Sequence, residues 1–397
     1  MRKLICIFLA LFILGGGTVA VQATETAKVY PYDLPASYWY LPAAAEYVNQ
    51  SDAKSLLLME YSTGKVLYAE NEYEHLPIAS VTKIISTLLV MEAVDAGKIS
   101  LSDKVTVSEY AASMGGSQVF LEPGEEVTVD DLLKSLVVVS ANDATVALGE
   151  YICGSEAAFV QAMNQRAKEL GCENSNFVNT NGLPAENHYS CAYDVALVTK
   201  ELMKHTKIFD YTKIWMDTIR NGAFGLANTN KLIRFYKGAT GMKTGFTDEA
   251  KYCLSGTAER NGMQLIAVVL GASTSDIRFS TAKSLLDYGF ANYTVTKPQP
   301  PQLEPITVKK GVETCVELKV EPLSLLTEKG SKEQPQAKAF IKDYIEAPVA
   351  PDQEVGYVAY YLNGTELARA KVTAAKEVKK VTYGSLLGDM FKALLFK

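Results

Sequence analysis

The chain has 397 residues, 48% of them hydrophobic and 21% charged, an ordinary balance for globular protein with room for two or three domains. The formal charge is −6 and no basic stretch is interleaved with aromatics, so nucleic acid is excluded as an expected partner. Six cysteines in a chain this long are too sparse for a disulfide scaffold.

The first 23 residues read as a signal peptide. Arg2 and Lys3 form a positive start, Leu4 to Leu14 an apolar stretch, and Val21-Gln22-Ala23 a small-residue cleavage site. The apolar stretch is too short and wrongly flanked for a membrane span. Cys6 lies too far from the cut for a lipid anchor. An exported protein is predicted, its mature part carrying 37 basic and 45 acidic residues, a charge of −8. Five cysteines remain: 153, 172, 191, 253 and 315. They read as small buried hydrophobes; spacing alone does not decide whether Cys172 and Cys191 pair.

Ser55–Glu60 and Lys65–Ala69 are apolar runs around Tyr61-Ser62-Thr63-Gly64, the pattern of a hairpin. From Ser80 to Asp95 the apolar residues crowd one broad helical face, which predicts a buried helix stopped by Gly97. Leu132–Val139 predicts a second buried helix running into Ser140, and Ala192–Lys200 a third. Asn179 to Pro184 is a predicted loop. After Gly245 the pattern turns to strands, Tyr252–Ala258 and Met263–Leu270 about an Asn-Gly turn, then to a helix over Ile277–Tyr288. These elements predict one mixed α/β domain over 24–292, its sheet closed from both ends of the segment.

Lys297-Pro298-Gln299-Pro300-Pro301-Gln302 is a Pro-rich break. With this break near its start, a small all-β, sandwich-like domain is predicted over 293–380. Val312 to Val320 alternates as a half-buried strand, and Asn363-Gly364 signals a hairpin between Tyr357–Leu362 and Thr365–Val372. In the tail, 381–397, Tyr383, Leu386, Leu387, Met390, Phe391, Leu394 and Leu395 form one apolar helical stripe. By periodicity it suits either a membrane interface or the surface of the β domain.

Three short strings carry the chemistry: Ser80-Val81-Thr82-Lys83, Ser140-Ala141-Asn142 and Lys243-Thr244-Gly245. S-x-x-K alone means little, since Ser51–Lys54, Ser62–Lys65 and Ser280–Lys283 match it too. Only Ser80 opens a buried apolar helix, where Lys83 shares its face and an apolar setting favours the unprotonated amine a base requires. Each of the other strings alone reads as a turn or a strand edge. Together, in this order, they supply a nucleophile, a base, a proton shuttle and a cationic anchor. His75, His188 and His205 are the only histidines, and His188 reads as a loop residue. No H-E-x-x-H, G-x-S-x-G, Walker A or G-x-G-x-x-G string occurs.

At these residues the chain resembles the serine D-alanyl-D-alanine carboxypeptidases, the low-molecular-mass penicillin-binding proteins. The likeness extends through Pro77 to Lys83, Gly115-Gly116-Ser117, Leu121 to Gly124, Ser140 to Ala144, Gly241 to Thr247 and Leu286 to Phe290. It implies an exported peptidase domain, a β-rich second domain and an amphipathic C-terminal membrane anchor holding the enzyme at the outer face of the cytoplasmic membrane. It implies hydrolysis of peptidoglycan stem peptides ending in D-Ala-D-Ala, covalent inhibition by β-lactams, and no metal or organic cofactor. By the same likeness Ser80 is the nucleophile, Lys83 its base and Ser140 the proton relay. Asn142, Lys243, Thr244, Gly245 and Phe246 bind substrate, and Arg278 joins them by its position in Asp276-Ile277-Arg278. Lys251, where the family commonly has Gly, and Thr229, where some members have Arg, are departures near the expected cleft. A class A β-lactamase uses similar strings, but no Glu-x-x-Leu-Asn-like loop separates the second from the third.

Overall fold

The structure, a computed structural model, describes residues 49–331, 334–384 and 387–388. The signal-peptide segment and most of the tail stripe lie outside them.

Strands β1 (Ser55–Glu60) and β2 (Val66–Glu70) form the expected hairpin. Three later strands, β3 (Ala239–Thr247), β4 (Lys251–Arg260) and β5 (Met263–Ala272), complete an antiparallel sheet in the order β2-β1-β5-β4-β3. β1 pairs with β5, Ser55 opposite Leu270, so the sheet does close from both ends of the segment. Because neighbouring residues of a strand point to opposite faces, a strand buried on both sides is apolar throughout. β1 shows this: Leu57 and Met59 enter one core, Leu56 and Leu58 the other.

The first core lies under the helical layer. It holds α1 (Lys83–Asp95), α2 (Val129–Val138), α3 (Asn142–Cys153), α4 (Glu156–Glu169) and α5 (Ala192–Leu202). The second core packs α6 (Ser275–Asn292) on the opposite face of the sheet. Ser80 does not begin the first helix as expected. It lies on a 3-10 turn, Ala79–Thr82, that feeds straight into α1. In such a turn residues three apart are eclipsed, so Ser80 and Lys83 still project together.

After α6 the chain is all β. β6 (Tyr293–Thr296) pairs with β10 (Leu325–Glu328). β7 (Ile306–Lys309) lies between β8 (Cys315–Val316) and β12 (Tyr344–Glu346). A four-stranded sheet runs β9-β14-β13-β11, from Leu318–Val320, Thr365–Ala374, Glu354–Leu362 and Gln336–Ile341. A separate core of Val316, Val355, Val358, Val372 and their neighbours holds it together. The Asn363-Gly364 hairpin is present, with both residues at positive φ as its turn requires. The single strand expected over Val312–Val320 is not. Its Val312 end is exposed, and the rest divides at Glu317 between two sheets. Among the described cysteines none is paired; Cys172, Cys191 and Cys253 are buried, but Cys153 is half-buried and Cys315 exposed, against the expectation of five buried side chains. No helix among the described residues is long and apolar enough to cross a membrane.

Candidate active site

Three pieces of backbone meet where α1 begins. The first is the 3-10 turn of Ser80. The second is the sharp link between α2 and α3: Ser140 sits in it at φ 65°, and Asn142 opens α3. A left-handed non-glycine residue costs about 1–3 kcal/mol, a strain often found at working sites. The third is edge strand β3, with Lys243, Thr244 and Gly245.

Gly245 shows how tightly they meet. A Cβ there would stand 2.6 Å from the Ile78 carbonyl oxygen and 3.1 Å from the Ser80 amide nitrogen. Only a residue without a side chain lets β3 approach the turn this closely. Gly182, in the loop between α4 and α5, does the same from another side. At φ 83°, its Cβ would fall 1.9 Å from the Ala79 carbonyl oxygen.

Lys83 lies at the centre and is fully buried. Its Nζ donates to Ser80 Oγ at 3.0 Å, to Asn142 Oδ1 at 2.5 Å and to the Asn181 carbonyl at 2.8 Å. Asn142 is oriented by its own Nδ2, which donates to the Gly115 carbonyl. Two of the three partners are amide oxygens that only accept. An unprotonated amine therefore keeps its two N–H bonds on Asn142 and Asn181 and turns its lone pair to the Ser80 hydroxyl. Burial, then the nearby Lys243 charge, push the Lys83 pKa well below that of an ordinary lysine, opposed by Asp143. Asp143 is itself buried and accepts from the amides of Val119, Leu121 and Ala144. It thereby fixes the segment leading to the second string.

Ser140 is buried, and its Oγ has no hydrogen-bond partner among the described residues. A buried hydroxyl without a partner is costly unless something else completes it, and a substrate atom is the natural candidate. Lys243 is also buried, donating to the Thr244 carbonyl at 3.0 Å. Burial, then the Arg278 guanidinium, bring its pKa down to about 7. Thr244 Oγ1 is hydrogen-bonded to Thr229 Oγ1 at 2.7 Å, and the Thr229 amide donates to the Val138 carbonyl. Thr229 so bridges the third string to the helix ending just before Ser140. Phe246 is half exposed against Tyr252. Lys251 holds φ 55°, a conformation that favours glycine.

The structure brings Ser80, Lys83, Asn142 and Gly245 into direct contact or close approach, with Lys243 near enough to act on Lys83. Arg278 is buried in α6 and donates to the carbonyls of Gly245 and Cys253, so it acts on the site through the backbone of β3 and β4. The sequence reading gave no role to Asn181, Asp143, Thr82 or His188. Asp143 follows the second string directly, and Asn181 and Gly182 fall in the loop expected over 179–184. Nothing local pointed to His188.

Residues 42–274 match the D-alanyl-D-alanine carboxypeptidase family, and residues 294–380 match the C-terminal domain of penicillin-binding protein 5. This chain belongs to the D-alanyl-D-alanine carboxypeptidase family. D-alanyl-D-alanine carboxypeptidase DacF of Bacillus subtilis is 47% identical over 344 residues, 85% of this chain and 88% of that protein. The crystal structure of penicillin-binding protein 5 from Haemophilus influenzae aligns with a TM-score of 0.76 at 32% identity, over 85% of this chain and all of that one. Penicillin-binding protein D2 from Listeria monocytogenes, solved in its ampicillin-bound form, aligns at 0.56 and 33% identity over 61% of this chain and 98% of that one.

Proposed function

We propose that this carboxypeptidase removes the terminal D-Ala from peptidoglycan stem peptides through an acyl-enzyme on Ser80. The Lys83 amine, held by two acceptors and aimed at Ser80 Oγ, carries the reading. Ser80 attacks the carbonyl of the penultimate D-Ala and Lys83 accepts its proton. The Ser80 and Phe246 amides stabilise the oxyanion, a role consistent with the Gly245 close approach. Ser140, with its Oγ unengaged, passes a proton to the departing D-Ala nitrogen, helped electrostatically by Lys243. Thr244 and Lys243 hold the terminal carboxylate, Asn142 the peptide on the acyl side. Arg278 keeps Gly245 in place. Water then hydrolyses the ester. A β-lactam acylates the same serine, in keeping with the ampicillin-bound form of the Listeria relative.

The segment 1–23 exports the chain, which acts outside the cytoplasm, and the tail stripe rests on the membrane surface. The activity is tested by measuring D-Ala released from an N-acylated peptide ending in D-Ala-D-Ala. The native protein releases it and Ser80→Ala does not. Release by the variant at the native rate would remove Ser80 from the mechanism.

A further inference from the structure

His188 lies in the loop between α4 and α5 and is buried. The Val178 amide donates to its Nδ1 at 3.1 Å, which makes Nδ1 the unprotonated nitrogen. Nε2–H then donates to Thr82 Oγ1 at 2.8 Å. Burial holds the imidazole neutral, its pKa down to about 4. Thr82 sits between Ser80 and Lys83 on the nucleophile turn. Val178 stands three residues before Asn181, whose carbonyl accepts from Lys83. The imidazole therefore ties together the two stretches that fix the base: the turn carrying it and the loop supplying its acceptor. Gly182 packs against Ala79 with no room for a side chain, so the loop has one seating against the turn.

We infer that His188 is a positioning residue for acylation, holding the Ser80–Lys83 turn and the Asn181 carbonyl in register through its hydrogen bonds to Thr82 and Val178. This rests on the Ser80 acyl-enzyme reading. Misplacing a reacting group by about 1 Å costs on the order of 100-fold in rate. A loosened clamp shifts the turn by less than that.

The test measures the rate at which labelled penicillin acylates the full chain, for the native protein, His188→Leu, His188→Gln and Thr82→Val, with a thermal melt of each. Leucine removes both hydrogen bonds. Glutamine carries an acceptor oxygen and a donor amide nitrogen and restores them. Valine at 82 deletes the hydroxyl and keeps the shape. Expected is a loss of about 10- to 100-fold for His188→Leu and for Thr82→Val, with His188→Gln within about threefold of native. Thr82→Val keeps the question open to refutation if His188→Leu fails to fold. Native rates in the folded variants, or a folded His188→Gln as slow as Thr82→Val, overturn the inference. No labelling of the native chain overturns the acyl-enzyme reading itself, which separates the two failures.

Discussion

Gly245→Ala perturbs this site by a single added carbon. The added methyl would meet the Ile78 carbonyl oxygen at 2.6 Å, where ordinary contact begins at 3.4 Å, so strand and turn must part by about 0.8 Å. All three nearest atoms are backbone, at 2.6, 3.0 and 3.1 Å, so no side chain can swing away to absorb the methyl. Overpacking of this kind costs about 1–3 kcal/mol, which a domain with two extensive cores survives. Catalysis is less tolerant. The displacement falls between β3 and the Ser80 amide, where reacting atoms must align, and a shift near 1 Å costs on the order of 100-fold. Stopped-flow acylation by a chromogenic β-lactam, with a melt on the same sample, reads both effects. The expected result is a folded variant acylated about 30- to 100-fold more slowly. A folded variant within threefold of native would show that the close approach of β3 to the turn does not govern the reaction.

Three further outcomes follow from the same geometry. Lys243 has a folded pKa of about 7 against an ordinary 10.5, so between those values the unfolded chain binds a proton that the folded chain lacks. Stability then rises with pH, by up to about 1.4 kcal/mol per unit, and Lys243→Met loses that slope. Urea unfolding of both proteins at pH 7, 8 and 9 checks this, and a difference that does not change with pH refutes it. Thr229→Val frees the Thr244 hydroxyl from its partner, and KM for a D-Ala-D-Ala peptide should rise about 3- to 10-fold, the loss of one hydrogen bond, with kcat little changed. An unaltered KM would separate Thr229 from carboxylate binding. Removing residues 381–397 should leave hydrolysis of a soluble peptide intact and release the protein from anionic lipid vesicles in a flotation assay; undiminished flotation refutes the anchor.

Local patterns announced elements whose burial is one-sided or complete over a short run. β1, β2, β4, β5, α1 and the Asn363-Gly364 hairpin were all readable in this way. That the sheet closes from both ends of the segment was expected, but the specific pairing of β1 with β5 was not, because no local spacing encodes which strand a given apolar run will join. Helices α3 and α4 went unread. α3 begins with Asn142 and Asp143, two buried polar residues that mimic a turn, although Ser155 and Gly171 bracket α4 with a cap and a stop. Val312–Val320 shows the converse failure, since alternation says nothing of a strand changing sheets. In the site, the three strings were visible as chemistry, but their partners were not. Asn181 acts through its carbonyl, which every residue has, and His188 acts through a residue 106 positions away. Arg278 was expected to bind substrate, and its buried guanidinium donates to the carbonyls of two strands.

The most direct measurement is the mass of the protein after brief exposure to penicillin, followed by peptide mapping, with a D-Ala-D-Ala peptide added as competitor. The expected result is one adduct per chain, on the peptide bearing Ser80, formed more slowly as competitor is raised. An adduct on another residue, or one at Ser80 that the peptide cannot slow, would contradict a single groove in which one lysine-activated serine meets both ligands.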